Sequence, residues 1–116
     1  MTSTCTALIV PARFSEPVRI ENLKPDLRTL QSLVGGDIES VTRGDWRVYL
    51  NADCMIADLP SNLRAVQLMN DCGLDLADVA RGTAVFLGKG DHGGDSDVPV
   101  HLIRRAEQLC DTSLAA

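Results

Sequence analysis

With 116 residues and a mass of 12.5 kDa, the chain has the length of a single domain, expected over residues 1–116. Hydrophobic residues make up 45% of the chain and charged residues 23%, which excludes wholesale disorder and is typical of a soluble globular domain. The net charge of −5, without a basic stripe in the sequence, disfavours direct binding of nucleic acid, because that binding depends on clustered cations.

The first third of the chain predicts two strands and a helix. Residues 6–11 are continuously apolar and predict a central strand, and residues 17–21 alternate between apolar and charged side chains like a half-buried strand. Four apolar residues then recur at helical spacing: Leu23, Leu27, Leu30 and Val34. Gly35 and Gly36 end this helix, and Gly35 is expected in the left-handed conformation of a helix C-terminus.

A hairpin follows the helix, with strands over residues 37–42 and 46–50 around the turn residues Arg43-Gly44-Asp45. Since neighbouring side chains of a strand point to opposite faces, Trp46 is expected in the core, and Arg47 and Tyr49 on the outer face. An alternative is that Tyr49 packs beneath one of the helices as part of the core.

The middle of the chain predicts a second helix and a strand. Pro60 and Asn62 mark the start of this helix, which Gly73 ends. Residues 74–80 fit either a short helix or an ordered loop, and residues 83–87 predict a strand.

The last part of the chain predicts a loop, a helix and a tail. Residues 88–97 contain four glycines and are expected to form a flexible loop, and residues 111–116 a short C-terminal tail. Asp97 is expected to cap the last helix, with Pro99 in its first turn. The resulting order β-β-α-β-β-α-β-α predicts an α+β domain, in which a small mixed or antiparallel sheet carries about three helices on one face.

The cysteines predict free thiols. The four of them are far apart in sequence and form no C-x-x-C pair: Cys5, Cys54, Cys72 and Cys110. This spacing disfavours a zinc site, and mostly buried thiols in a reducing cytoplasm are expected rather than disulfides. The N-terminal residues predict neither a signal peptide nor a membrane span.

Residues 88–93 spell the phosphate-binding pattern G-x-G-x-x-G, but the predicted helix begins several residues too late and no strand follows it. No nucleotide cofactor is therefore expected. The same loop holds four weak candidates for metal ligands: Asp91, His92, Asp95 and Asp97. Their order is not that of a calcium loop, so a solvated loop without a tightly bound metal is the preferred interpretation.

No catalytic constellation is recognisable in the sequence, so an enzyme is not expected. The chain has two histidines and no G-x-S-x-G motif. Arg47 and Tyr49 are instead candidates for a contact with a partner protein, because arginine and tyrosine are enriched in binding hot spots. His101 and Arg105, on the polar side of the last helix, are a second candidate surface.

Two motifs carry a resemblance to a known family. The pattern L-V-G-G-x-I-E spans Leu33–Glu39, and L-P-x-N-x-x-A spans Leu59–Ala65. Together with the apolar strand over residues 7–11 and the segment 81–85, they resemble a domain of unknown function, number 3846, that occurs in bacteriophage and mobile-element proteins. Gly35, Gly36, Pro60 and Asn62 are structural positions of these motifs. The resemblance implies a phage-encoded accessory protein that acts in the cytoplasm of an infected bacterium.

These observations lead to a functional expectation. A non-enzymatic accessory protein that binds a host cytoplasmic protein is the preferred hypothesis, without membrane attachment and with homo-oligomerisation left open. The alternative is an antagonist of host defence, either an acidic anti-restriction decoy or a protein that sequesters a nucleotide signal. The third is a small hydrolase or metal-binding protein.

Overall fold

The computed structural model describes residues 4–53, 59–74 and 80–110. These ranges contain six strands: β1 Cys5–Val10, β2 Arg19–Leu23, β3 Ile38–Arg43, β4 Trp46–Asn51, β5 Ala84–Lys89 and β6 Asp95–Ser96. They contain three helices: α1 Leu27–Val34, α2 Leu63–Asp71 and α3 Val100–Cys110. None of these helices has the length and apolar character that crossing a membrane requires.

The strands form one antiparallel sheet in the order β2-β1-β5-β4-β3, and β6 pairs with the end of β5 beyond its pairing with β1. The predicted α+β class and order of elements are confirmed, with the two-residue β6 inserted before α3. Of the two sheet types expected, the antiparallel one is found.

Apolar side chains project from both faces of the sheet and form two cores. One core contains Leu8, Trp46 and Phe86 and is covered by α2 and α3. The other core contains Ile9 and Val85 and is covered by α1. The expectation that the helices cover one face is therefore wrong, because the central strands are apolar at consecutive positions and expose hydrophobic surface on both sides.

Residues within one helical turn of each end determine where α1 begins and ends. The Asp26 carboxylate accepts a hydrogen bond from the Thr29 amide at 2.8 Å, and this bond lowers the pKa of Asp26. Gly35 lies at φ +84° and its amide bonds to the Gln31 carbonyl, as predicted for the helix end. The predicted start was too early, because Leu23 belongs to β2.

The start of α2 is confirmed at Asn62. Its Oδ1 atom accepts a hydrogen bond from the Ala65 amide at 3.0 Å. Its Nδ2 atom donates to the carbonyls of Val10 and Gly82, both at 2.8 Å. Asn62 is fully buried, so this one side chain ties the first turn of α2 to the end of β1 and to the segment before β5.

Residues 88–97, predicted as a flexible glycine-rich loop, contain the end of β5 and all of β6, which form a β-hairpin around a turn at residues 90–94. The Gly90 amide donates to the Gly94 carbonyl at 2.7 Å, and β6 pairs with Gly88 and Lys89. Asp97 does not cap α3: its Oδ1 atom accepts a hydrogen bond from the Thr6 amide at 2.7 Å, which ties this segment to β1. The expected tail at 111–116 lies outside the described residues.

Candidate functional site

The four weak metal candidates point in different directions. Asp91 and His92 are exposed in the turn of the β5–β6 hairpin. Asp95 turns back toward β4, and Asp97 bonds to the Thr6 amide. Within residues 4–53, 59–74 and 80–110, no three side chains of histidine, cysteine, aspartate or glutamate are placed to hold a metal ion.

Asp95 brings the two predicted contact residues together. The Tyr49 hydroxyl donates to the Asp95 carboxylate, with oxygen–oxygen distances of 2.7 and 2.9 Å. Arg47 Nη1 lies 3.0 Å from Asp95 Oδ1, and its Nη2 atom donates to the Gly93 carbonyl at 2.8 Å. These bonds hold the β5–β6 hairpin against β4. The cluster is therefore a clamp between strands of this chain.

The expectation that Tyr49 faces solvent is wrong. Tyr49 is 8% exposed and packs in the core that α1 covers, with Leu30 and Val34. Arg47 is half-buried, and its guanidinium is engaged by Asp95 and Gly93. Tyr49 instead packs beneath a helix as part of the core, as the alternative interpretation of the sequence predicted.

Tyr49 is the sole tyrosine of the chain, so the absorbance of tyrosinate reports its titration directly. Burial raises the pKa of Tyr49 above its ordinary value of 10.0, the bond to Asp95 raises it further, and Arg47 lowers it. We expect Asp95→Asn to lower the pKa of Tyr49 and Arg47→Gln to raise it. Spectrophotometric titration of the three proteins measures both shifts, and a shift of the same sign in both variants would contradict the clamp.

The same raised pKa has a consequence for stability. A group whose pKa is higher in the folded protein than in the unfolded chain contributes fully to stability at pH values below its unfolded pKa. This contribution is lost as the pH rises through the folded pKa. Stability is therefore expected to fall above pH 10.0, and less steeply in Tyr49→Phe, which cannot ionise at this position. Denaturant unfolding at several alkaline pH values provides the comparison.

The second candidate surface, on α3, is exposed. His101 Nε2 lies 2.9 Å from the carboxylate of Asp45 and connects α3 to the turn between β3 and β4. Arg105 Nη1 donates to Gln108 at 3.3 Å on the same helix. Both residues remain accessible, and their role in a partner contact stays a prediction.

The cysteines within the described residues are free thiols: Cys5, Cys72 and Cys110. Burial raises the pKa of Cys5, and the carboxylates of Asp97 and Asp95 raise it further. Burial is also the main reason that the pKa of Cys72 is raised. These two thiols are protonated at neutral pH and are poor nucleophiles. Cys54 lies outside the described residues.

A small cavity opens at the end of the sheet where β1 ends and β5 begins, with a volume of about 210 Å³. Its walls come from three residues of the loop after β1 (12, 13 and 16), the end of α1 (33–35), the segment before α2 (59–60) and the residues before β5 (82–83). Leu33, Leu59 and Pro60 supply apolar walls, and Arg13 and Glu16 supply charges.

The loop beside this cavity is held by Arg64 of α2. Its Nη2 atom lies 2.7 Å from the Pro11 carbonyl and 2.8 Å from the carbonyls of Arg13 and Glu16. Phe14 lies over the guanidinium, with Cζ 5.3 Å from the ring centroid, a cation–π distance. The ring is nevertheless 68% exposed. We call the cavity and the Phe14 ring together the sheet-end surface.

Sequence reasoning missed this surface. Phe14 stands in a polar loop, outside every apolar periodicity, and that isolation of an aromatic residue is the signal that could have indicated it. The role of Arg64 has no such signal, since its carbonyl partners lie about fifty positions earlier in the chain.

Comparisons with known proteins indicate a family and a fold. The family model described as "Domain of unknown function (DUF3846)" matches residues 5–111. No curated protein matches the chain. The solved structure titled "Crystal structure of small RNA methyltransferase HEN1" is similar with a TM-score of 0.59 and 18% identity. The match covers 95% of this chain and 16% of that chain, so at this identity the likeness concerns the fold alone.

Proposed function

The chain belongs to the DUF3846 family, and from this premise we propose that it is a non-enzymatic protein-binding domain whose partner docks at the sheet-end surface. We further propose that the protein is a phage-encoded accessory protein and that the partner is a cytoplasmic protein of the bacterial host. The sequence resemblance supports this origin, and the geometry of the sheet-end surface supports the binding role.

The exposed ring of Phe14 is the observation that carries the proposal. Arg64 engages three carbonyls of the loop and lies against this ring, so the loop is held in a defined shape with the aromatic side chain outward. Burying such a side chain against a partner yields about 1.5–3 kcal/mol. A preorganised loop also loses little conformational entropy when it binds.

The size of the cavity favours a protein partner over a nucleotide. At about 210 Å³, it is smaller than the roughly 300–1,000 Å³ of small-molecule sites. A single apolar side chain of a partner matches the walls formed by Leu33, Leu59 and Pro60. Sequestration of a nucleotide signal would need convergent cations, but Arg64 is occupied by carbonyls and Arg13 shares the cavity with Glu16.

The acidic residues do not favour a nucleic-acid decoy. A decoy needs free carboxylates aligned at the spacing of phosphates. Several of the carboxylates instead bond within the fold: Glu21, Asp26, Asp37, Asp45, Asp95 and Asp97. The protonated thiols of Cys5 and Cys72 likewise give no support to a small hydrolase.

Affinity capture from bacterial lysate with a matched pair of variants tests the proposal. Phe14→Ser removes the exposed ring, and Leu27→Ser removes a similarly exposed apolar side chain, 60% accessible, from the start of α1. We expect the wild type and Leu27→Ser to capture the same protein, and Phe14→Ser to bind it at least about tenfold more weakly. Affinities are then measured with the purified partner by calorimetry.

A partner held equally well by Phe14→Ser would contradict the sheet-end surface as the docking site. The contact would then be sought on the exposed side of α3, with His101→Ala and Arg105→Ala. Thermal unfolding of each variant shows whether it stays folded, since Phe14 and Leu27 are both exposed and their replacement is not expected to disturb the core.

A further inference from the structure

The outer edge of β3 is a surface that the proposed function does not use. β3 is the last strand on its side of the sheet, and no described residue pairs with its outer edge. Most of its side chains are exposed. An edge strand of this kind presents unpaired amide and carbonyl groups that can accept a further strand.

The register of the β3–β4 hairpin shows which backbone groups are unpaired. The Ala52 amide donates to the Asp37 carbonyl at 2.7 Å, directly beyond the paired residues Ile38 and Asn51. Hydrogen-bonded positions alternate along an antiparallel strand. The amides and carbonyls of Glu39, Val41 and Arg43 therefore point toward β4. Those of Ser40 and Thr42 point to the outer edge.

We propose that two copies of this chain pair through this edge, β3 against β3 in antiparallel orientation, with Val41 opposite its own symmetry mate. Ser40 then lies opposite Thr42 of the partner subunit, and these outward residues exchange backbone hydrogen bonds. Glu39 lies opposite Arg43 of the partner subunit at a position without backbone bonds, where side chains approach most closely. Each subunit supplies both charges, so the ion pair forms twice.

Other registers of the same pairing lose this complementarity. Sliding the strands toward the hairpin turn places Glu39 opposite Asp45, which puts two carboxylates together. Sliding the strands the other way first places Glu39 opposite Val41 of the partner subunit, which leaves the charge without a counterpart. A further shift places Glu39 opposite Glu39 of the partner subunit. Directly opposed like charges destabilise a strand pair, whereas opposite charges stabilise it.

The two edges of the sheet differ in how their charges are used. On β2, Arg19 and Glu21 form an ion pair with each other at 2.9 Å. On β3, Glu39 and Arg43 have no hydrogen bond or ion pair among the described residues. The net charge of −5 makes two copies repel each other at long range. At physiological ionic strength, salt screens charges that lie more than about 8 Å apart. It therefore weakens this repulsion but not the attraction between facing side chains, which are closer together than that.

Analytical ultracentrifugation across a concentration series tests the pairing. A single edge strand gives a small interface, so we expect a weak dimer with a Kd between about 10 µM and 1 mM. Glu39→Arg and Arg43→Glu are each expected to weaken it at least about tenfold, because they place like charges opposite one another. The double variant Glu39→Arg/Arg43→Glu restores complementarity and is expected to recover the wild-type Kd.

Glu21→Arg on the opposite edge is the matched control and is expected to leave the Kd unchanged. A chain that stays monomeric up to about 1 mM overturns the proposal. So does a dimer in which the double variant associates no better than the single ones, or one that Glu21→Arg disrupts equally. Since these positions lie apart from Phe14, failure of this inference leaves the proposed partner contact untouched.

Discussion

Asn62→Ala is expected to destabilise the domain by about 3 kcal/mol, the sum of a lost helix cap at about 1 kcal/mol and two buried carbonyls deprived of a donor at about 1 kcal/mol each. For a domain of this size the midpoint of thermal unfolding should fall by about 10 °C. The effect is large because the buried amide serves Ala65, Val10 and Gly82 together. Circular dichroism melts measure it.

Two variants separate the parts of this effect. Asn62→Ser keeps an oxygen that can accept from the Ala65 amide but loses both donated bonds, so an intermediate loss is expected. Asn70→Ala changes an exposed asparagine of the same helix and is expected to be near neutral. Equal melting points for Asn62→Ala and Asn70→Ala would show that the buried bonds contribute nothing.

Gly88→Ala is expected to destabilise the protein by about 2 kcal/mol or more, because the added methyl group has no room. Gly88 lies in β5 between Trp46 of β4 and Ser96 of β6. A Cβ atom there would overlap the backbone carbonyl of Asp97 and lie 2.6 Å from Ser96 Oγ. β6 would have to move away from β5, which weakens the clamp that Asp95 makes.

Gly94→Ala is the matched control for this substitution. A Cβ atom at Gly94 meets nothing within 4 Å, so stability should be nearly unchanged. A second readout is local: displacement of β6 separates Asp95 from Tyr49, and the pKa of the sole tyrosine should fall in Gly88→Ala but not in Gly94→Ala. Wild-type stability and titration in Gly88→Ala would contradict the close approach of β6.

The close approach of another backbone segment to Gly88 also explains why the chain contains the G-x-G-x-x-G pattern, and this explanation involves no bound phosphate. The first glycine of G-x-G-x-x-G is needed here because the backbone carbonyl of Asp97, directly after β6, lies where a Cβ atom would stand. Gly90 and Gly94 then close the hairpin turn through a hydrogen bond between their backbones. A glycine motif in a sequence does not show whether a ligand or another strand approaches the backbone, because either close approach requires a residue without a side chain.

The features that the sequence determined by itself depend on neighbouring residues. Gly35 ends α1 and Asn62 begins α2 through bonds to residues three or four positions away. The turn between β3 and β4 likewise lies within its own hairpin. These two caps and this turn are local, so composition and spacing were sufficient to predict them, and with them the α+β class. The predicted cap of α3 failed because Asp97 is engaged by the distant Thr6 amide instead.

Tertiary structure alone decided what the predicted candidates do. Alternation separates Tyr49 from Trp46 onto opposite faces of β4, but it does not tell which faces are covered, and α1 covers the face that was expected to be free. Asp95 meets Tyr49 across 46 positions, and Asp97 meets Thr6 across 91. Phe14 is placed by Arg64, 50 positions away. Such contacts depend on how the strands are ordered in the sheet, and a pattern of neighbouring residues does not contain that order.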